Sequence, residues 1–134
     1  MLIAVDTNIL VRIAVRDDEA QYQKAMTLLA EHQFFISRTV QLEMEWVLRS
    51  RYQLSCEDIA NYFALLLQKN KIVCENEQEL MNAISWYRLG ADFADALHLS
   101  NTPSLPFFTF DENFCKKAIK QGIAPFITIL SNIN

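Results

Sequence analysis

The chain has 134 residues, 51% of them hydrophobic and 21% charged, with 2 glycines and 3 prolines. That composition excludes disordered, collagen-like and low-complexity classes, and the length suits one domain whose core needs no covalent staples. A formal net charge of -4 excludes attachment to duplex DNA or an anionic membrane through overall charge, so any nucleic-acid contact must be local.

Leu2-Ile3-Ala4-Val5 is continuously apolar, the pattern of a short strand covered on both faces in a parallel sheet. Apolar spacings of three and four then predict a helix over roughly 18 to 31. Phe34-Phe35-Ile36 reads as a second strand, followed by helices over 39 to 52 and 56 to 68. Ile72-Val73-Cys74 is a shorter strand candidate, followed by helices over 76 to 89 and 93 to 100. Ser55 with Asp58, and Asn76 with Glu79, resemble helix-start signatures. The turn-rich Asn101-Thr102-Pro103-Ser104-Leu105-Pro106 leads into a strand at Phe107-Phe108-Thr109-Phe110, a helix over 112 to 120 and a last strand at Phe126-Ile127-Thr128-Ile129-Leu130. Strands separated by helices imply right-handed crossovers. The expected class is therefore α/β: one three-layer α/β/α domain over residues 1–134 with a mostly parallel central sheet of four to five strands.

Cys56, Cys74 and Cys115 are odd in number, far apart and without a C-x-x-C pair, which argues against a disulfide framework or a structural zinc and fits a reducing cytoplasm. The apolar stretch before Asp6 is too short for a signal peptide and lacks its basic flank. No apolar run approaches the roughly 20 residues that span a bilayer.

Polar residues directly after a buried strand come first, because ligands of open α/β sheets bind at the carboxyl ends of the strands. Val5-Asp6-Thr7-Asn8 and Phe110-Asp111-Glu112-Asn113 each place an Asp after an apolar run and an Asn two residues later. Asp6 and Asp111 read equally as helix N-caps, and both roles are compatible because a capping carboxylate keeps a second oxygen. Glu43 and Glu45, two apart on a helix, point in different directions. Glu45 has Arg49 at i+4, which predicts a solvated surface pair. Glu43 has Val40, Trp46 and Val47 as its neighbours three and four away, which predicts a buried acid without a visible partner. In Gly90-Ala91-Asp92-Phe93-Ala94-Asp95-Ala96-Leu97-His98-Leu99 the dipole at a helix start accounts for Asp92, whereas Asp95 should face inward with its apolar neighbours. Two carboxylates about 5 Å apart repel by roughly 3 kcal/mol at an effective dielectric of about 20, so a cluster needs protons or a cation. Oxygen-only ligands favour Mg²⁺ or Mn²⁺ over zinc. The pattern thus points to Asp6, Glu43, Asp95 and Asp111 meeting at a metal.

The same residues carry a resemblance to the PIN-domain ribonucleases, and more closely to the VapC toxins of bacterial toxin-antitoxin pairs. Its pieces are Val5-Asp6-Thr7-Asn8-Ile9-Leu10, Leu42-Glu43-Met44-Glu45-Trp46-Val47-Leu48, Asp92-Phe93-Ala94-Asp95-Ala96-Leu97 and Thr109-Phe110-Asp111, in an order that spans nearly the whole chain. The resemblance implies a PIN domain whose acidic positions are Asp6, Glu43, Asp95 and Asp111, with Asp92 an accessory acid and Asn8 and Thr109 polar supports. Glu45 stands where such proteins usually carry an apolar or neutral residue. His98 occupies a place often filled by an aliphatic residue, which suits a core or crevice-rim histidine better than a ligand.

What the resemblance implies chemically is Mg²⁺- or Mn²⁺-dependent hydrolysis of RNA phosphodiester bonds, leaving 5'-phosphate and 3'-hydroxyl ends. Asp6 and Asp95 would be direct ligands, with Glu43 and Asp111 completing the first or second shell of the metal. It also implies a homodimer and a small antitoxin partner, contacts to which Trp46, Trp86, Tyr22 or Tyr62 could contribute if they are not core residues. Arg12, Arg16, Arg38, Lys116, Lys117 and Lys120 lie near strand ends or on helices leaving them, and are the candidates for holding the RNA backbone; each also reads as part of a solvated helix face. A receiver-like phosphoacceptor expects adjacent acids after the first strand and a lysine after the last, and this chain has Thr7-Asn8 and Ser131-Asn132 there. A haloacid-dehalogenase-like phosphatase expects D-x-D, and Asn8 replaces its second Asp. The remaining alternative is a catalytically idle module that binds RNA or protein.

Overall fold

Three short strands, β1 (Leu2–Ala4), β2 (Gln33–Ile36) and β3 (Ile72–Cys74), pair in parallel in the order β1-β2-β3. They belong to a computed structural model that describes residues 1–102, 105–114 and 127–130. Two compact units divide the chain, one formed by Met1–Gln78 and the other beginning at Glu79.

In the first unit β2 lies between its neighbours, with Ile3 opposite Phe34 and Phe34 opposite Ile72. Phe34 and Ile36 of β2, and Ile72 and Cys74 of β3, are buried. The strand β1 departs from the expectation of cover on both faces. Leu2 is 50% exposed, and burial begins at Val5 just beyond the strand.

A helix that periodicity did not reveal follows at once. α1 (Thr7–Val15) starts at the Asp6 cap and ends at Arg16, whose φ of 55° is left-handed. Its β-branched run obscures the pattern, yet Leu10 and Val11 are buried. α2 (Glu19–Glu31), capped by Asp18, packs against α1. α3 (Arg38–Ser50) and α4 (Cys56–Gln68) follow β2, and the Ser55 hydroxyl accepts from the Asp58 N–H at 3.1 Å, the start that the Ser55–Asp58 spacing predicts. Met44, Leu48, Ile59 and Phe63 are almost wholly buried, and Tyr62 in α4 donates its hydroxyl to the Leu10 carbonyl at 2.7 Å.

α5 (Glu77–Arg88), which carries the chain into the second unit, opens after Asn76, which adopts a left-handed φ of 51°. It closes with Gly90 N–H on Tyr87 O and Ala91 N–H on Trp86 O, a Schellman end whose Gly90 has a φ of 103°. That stop delivers Asp92 as the cap of α6 (Phe93–Ser100). Tyr87 and Phe93 meet edge to face, with centroids 5.3 Å apart. β4 (Phe107–Thr109) and β5 (Ile127–Ile129) form a parallel two-stranded sheet with Phe108 opposite Thr128. Phe107, Ile127 and Trp86 pack on Leu99 and Phe114, whereas Phe108 is 59% exposed.

The α/β class with parallel strands is as the sequence predicts, the five strands among the described residues being shared between a three-stranded and a two-stranded sheet. Of the helix expected over 112–120, residues 112–114 are helical and the rest lies outside the described residues, as does Phe126 at the start of the last expected strand. Among the described residues no helix is long and apolar enough to cross a membrane.

Candidate functional site

Asp6 is exposed where the chain turns from β1 into α1, and its Oδ1 accepts the Ile9 N–H at 3.2 Å. The capping reading therefore holds, and Oδ2 has no hydrogen-bond partner among the described residues. Two residues on, exposed Asn8 lines a cleft of about 230 Å³ with Ile9, Arg12, Gln21, Lys24, Ala25 and Leu28. Arg12 is heavily engaged there. Its Nε donates to Gln21 at 2.6 Å, and its Nη1 donates to Tyr52 at 2.9 Å and Asp17 at 3.1 Å. Arg38, at the start of α3, is half-buried, and its backbone N–H donates to the Glu75 carboxylate at 3.1 Å. Arg16 forms a two-point contact with Glu19 and lies over the Tyr22 ring.

The structure reverses the expected burial of the two α3 acids. Glu43 is exposed, as is Trp46 one turn further on, whereas Glu45 is 3% exposed. The core face of α3 is Gln41, Met44, Glu45 and Leu48, a set spaced by three, four and seven that contains two polar residues and so looks less apolar than the Val40–Trp46–Val47 stripe. Both polar members have hydrogen-bond partners. Arg49 Nε donates to Glu45 Oε2 at 2.7 Å, so the predicted pair forms, but with its acid end buried. Gln41 Nε2 donates to the carbonyls of Ile36 at 3.2 Å and Glu75 at 3.1 Å, while its Oε1 has no partner among the described residues.

The remaining acids belong to the second unit. Asp92 is the α6 cap, its Oδ2 accepting the Asp95 N–H at 3.1 Å. Asp111 accepts the Phe114 N–H at 2.9 Å, so it too is a cap, and its own N–H donates to the Thr109 hydroxyl at 3.0 Å. Asp95 is half-buried. Its carboxyl is pushed above the ordinary range by burial first, then by the charges of Asp92 and Asp111, with exposed His98 opposing the shift. The structure thus brings both Asp92 and Asp111 within electrostatic reach of Asp95. A half-buried carboxyl with two acids near it, offering oxygen donors only, has the chemistry that a hard divalent cation suits. No group of three or more His, Cys, Asp or Glu among the described residues has the geometry to hold a metal ion.

Lys116, Lys117 and Lys120 lie outside the described residues, as does Cys115. Cys56 is exposed, and burial followed by the Glu77 charge pushes the Cys74 thiol up to about 11, which leaves it an unreactive core group. Sequence reasoning did not single out Gln41 and Glu75. With Glu75 N–H on Ile36 O at 2.9 Å, they clasp the carboxyl ends of β2 and β3 to the start of α3. The signal available was a polar residue at the spacing of the Met44 and Leu48 core face.

The family model of the PIN domain matches residues 3–120. No curated protein and no solved structure matches the chain.

Proposed function

The chain belongs to the PIN domain family, and we propose that it uses that fold as a metal-dependent endoribonuclease, the toxin of a type II toxin-antitoxin pair. Members of the family are in general nucleases, so hydrolysis of a phosphodiester is the reaction class from which the reading starts. The observation that supports it most is the placement of Asp95, whose carboxyl is held above its ordinary range by burial first and then by the charges of Asp92 and Asp111.

In this reading Asp6, Glu43, Asp95 and Asp111 hold Mg²⁺ or Mn²⁺. When bound, such a cation lowers the pKa of a water and neutralises charge on the phosphate oxygens. The chain's own groups do the positioning. Capping fixes one oxygen of Asp6 and one of Asp111 on backbone N–H groups and leaves each a second oxygen for a ligand. Thr109 steadies the turn that carries Asp111, and Asp92 steadies the first turn that carries Asp95. Asn8 is the polar support beside Asp6. Arg12, Arg38 and Lys116 are the candidates for the RNA backbone, with Arg12 having to share a guanidinium already held by Asp17, Tyr52 and Gln21. Hydrolysis of this kind leaves 5'-phosphate and 3'-hydroxyl ends. A homodimer, a small antitoxin and a cytoplasmic location complete the reading.

The test is isosteric substitution of one acid at a time. Asp6→Asn, Glu43→Gln, Asp95→Asn and Asp111→Asn should each lose about 100-fold or more in RNA cleavage, of the order that removing an electrostatic stabiliser costs, while remaining folded. Retention of full activity by all four would overturn the assignment.

A further inference from the structure

We propose that the exposed side of α3 beyond Glu43 is a nucleobase-stacking subsite for single-stranded RNA, with Trp46 as the platform and Arg51 as the cation that meets the adjoining phosphate, an inference that rests on the RNA-cleavage reading. Trp46 is 48% exposed on a helix whose core face is already filled by Gln41, Met44, Glu45 and Leu48. A lone exposed aromatic needs no explanation. Trp46 is set apart by what stands beside it.

Glu43, also exposed, lies three residues earlier, one helical turn or about 5 Å along the axis. A base stacked on Trp46 is therefore within one nucleotide step of the acid. The Arg51 guanidinium lies 5.9 Å from the Trp46 ring centroid, inside cation–π range. Arg51 is exposed and makes no ion pair among the described residues, so its donors are available to an anion. In a chain of net charge -4, an available guanidinium beside a half-exposed indole is locally complementary to a phosphodiester strand, which offers π faces and negative charge at one-nucleotide intervals. Seating against a second copy of the chain fits less well. Around Trp46 the exposed residues of α3 and its end are Glu43, Arg49, Ser50 and Arg51, and charge is depleted at the centre of protein–protein interfaces.

The experiment measures binding of a fluorescent octa-adenylate RNA to the full chain in chelator, alongside cleavage of total RNA with Mn²⁺ and sedimentation of each variant. Trp46→Ala is expected to weaken octa-adenylate binding about 5- to 150-fold, the range for loss of one stacked base, with Trp46→Phe restoring most of it. An oligomer of the same backbone without bases should bind wild type and Trp46→Ala alike. Arg51→Gln should weaken both oligomers and lower the salt slope by about one. Unchanged octa-adenylate binding by Trp46→Ala overturns the proposal, whether or not sedimentation shows that the substitution dissociates a dimer. The two readings fail separately: Trp46-dependent binding without cleavage by wild type keeps the subsite and removes the nuclease, and cleavage with unaltered binding by Trp46→Ala does the reverse.

Discussion

Glu45 and Arg49 form an i,i+4 ion pair on α3 in which the carboxylate is 4% exposed and the guanidinium 45%, with Nε 2.7 Å from Oε2. A negative charge is thus carried into the core while its partner stays in reach of water. Arg49→Ala leaves that carboxylate less compensated and should cost about 1–3 kcal/mol, less than for a fully buried pair because water screens the guanidinium. Glu45→Leu removes the buried charge altogether and should be close to neutral or stabilising. Urea unfolding of the two variants checks the order, and a larger loss for Glu45→Leu would contradict it.

Arg12, Asp17 and Tyr52 close a ring of hydrogen bonds, Tyr52 donating to Asp17 at 3.0 Å while Arg12 donates to both. It joins α1, the turn before α2 and the segment after α3. Tyr52→Phe and Asp17→Asn should each lose about 0.5–1.5 kcal/mol. Because they share a partner, the double variant should lose less than the sum. Thermal melts of the singles and the double measure the shortfall, and strict additivity would mean that the ring does not act as a unit.

The raised carboxyl of Asp95 fixes the sign of a pH effect. Burial, Asp92 and Asp111 make the native chain hold a proton that the unfolded chain has already released. Stability should therefore fall as pH rises from the ordinary Asp value through the raised one, and level off above it. Glu19 works in the opposite sense: held down to about 2 by Arg16 and then Gln23, it favours the native state above the ordinary carboxylate range and loses that as pH falls towards about 2. Melting temperatures of wild type and Asp95→Asn in chelator, compared over the same pH range, separate the first effect from that of Glu19. Asp95→Asn should flatten the slope and melt higher at neutral pH, and an unchanged slope would show that Asp95 is not its source.

Gln41 separates two polar substitutions. Gln41→Leu deletes donors to Ile36 O and Glu75 O but also the orphaned Oε1, so it should cost about 1–2 kcal/mol. Gln41→Glu sets a buried carboxylate against two carbonyl oxygens and should cost clearly more. Equal denaturation midpoints for the two would argue against the clasp.

The α/β pattern was legible because β2 and β3 are short apolar runs and α2 to α6 keep a helical period. α1 was hidden, since Ile9-Leu10-Val11-Arg12-Ile13-Ala14-Val15 has the composition of a strand and only the Asp6 cap marks it as a helix. Asp6 and Asp111 could be read as caps from their places directly after apolar runs, and Asp92 from its place at a helix start. The sides of α3 could not, because burial there follows the helix position and not side-chain polarity: a glutamine and a glutamate lie in the core while a tryptophan lies outside. Gln41 and Glu75 escaped notice because their partners are backbone carbonyl and amide groups 34 to 37 residues away, which no local pattern encodes.

Cleavage of total RNA by the purified chain, with Mg²⁺ or Mn²⁺ and with chelator, and beside Asp6→Asn, tests the proposed activity most directly. Wild type with metal should give discrete fragments bearing 5'-phosphates, and chelator or Asp6→Asn should abolish them. Intact RNA after incubation with folded, antitoxin-free wild type and either metal, or cleavage that persists in chelator, would contradict the proposal that this PIN domain is a metal-dependent ribonuclease.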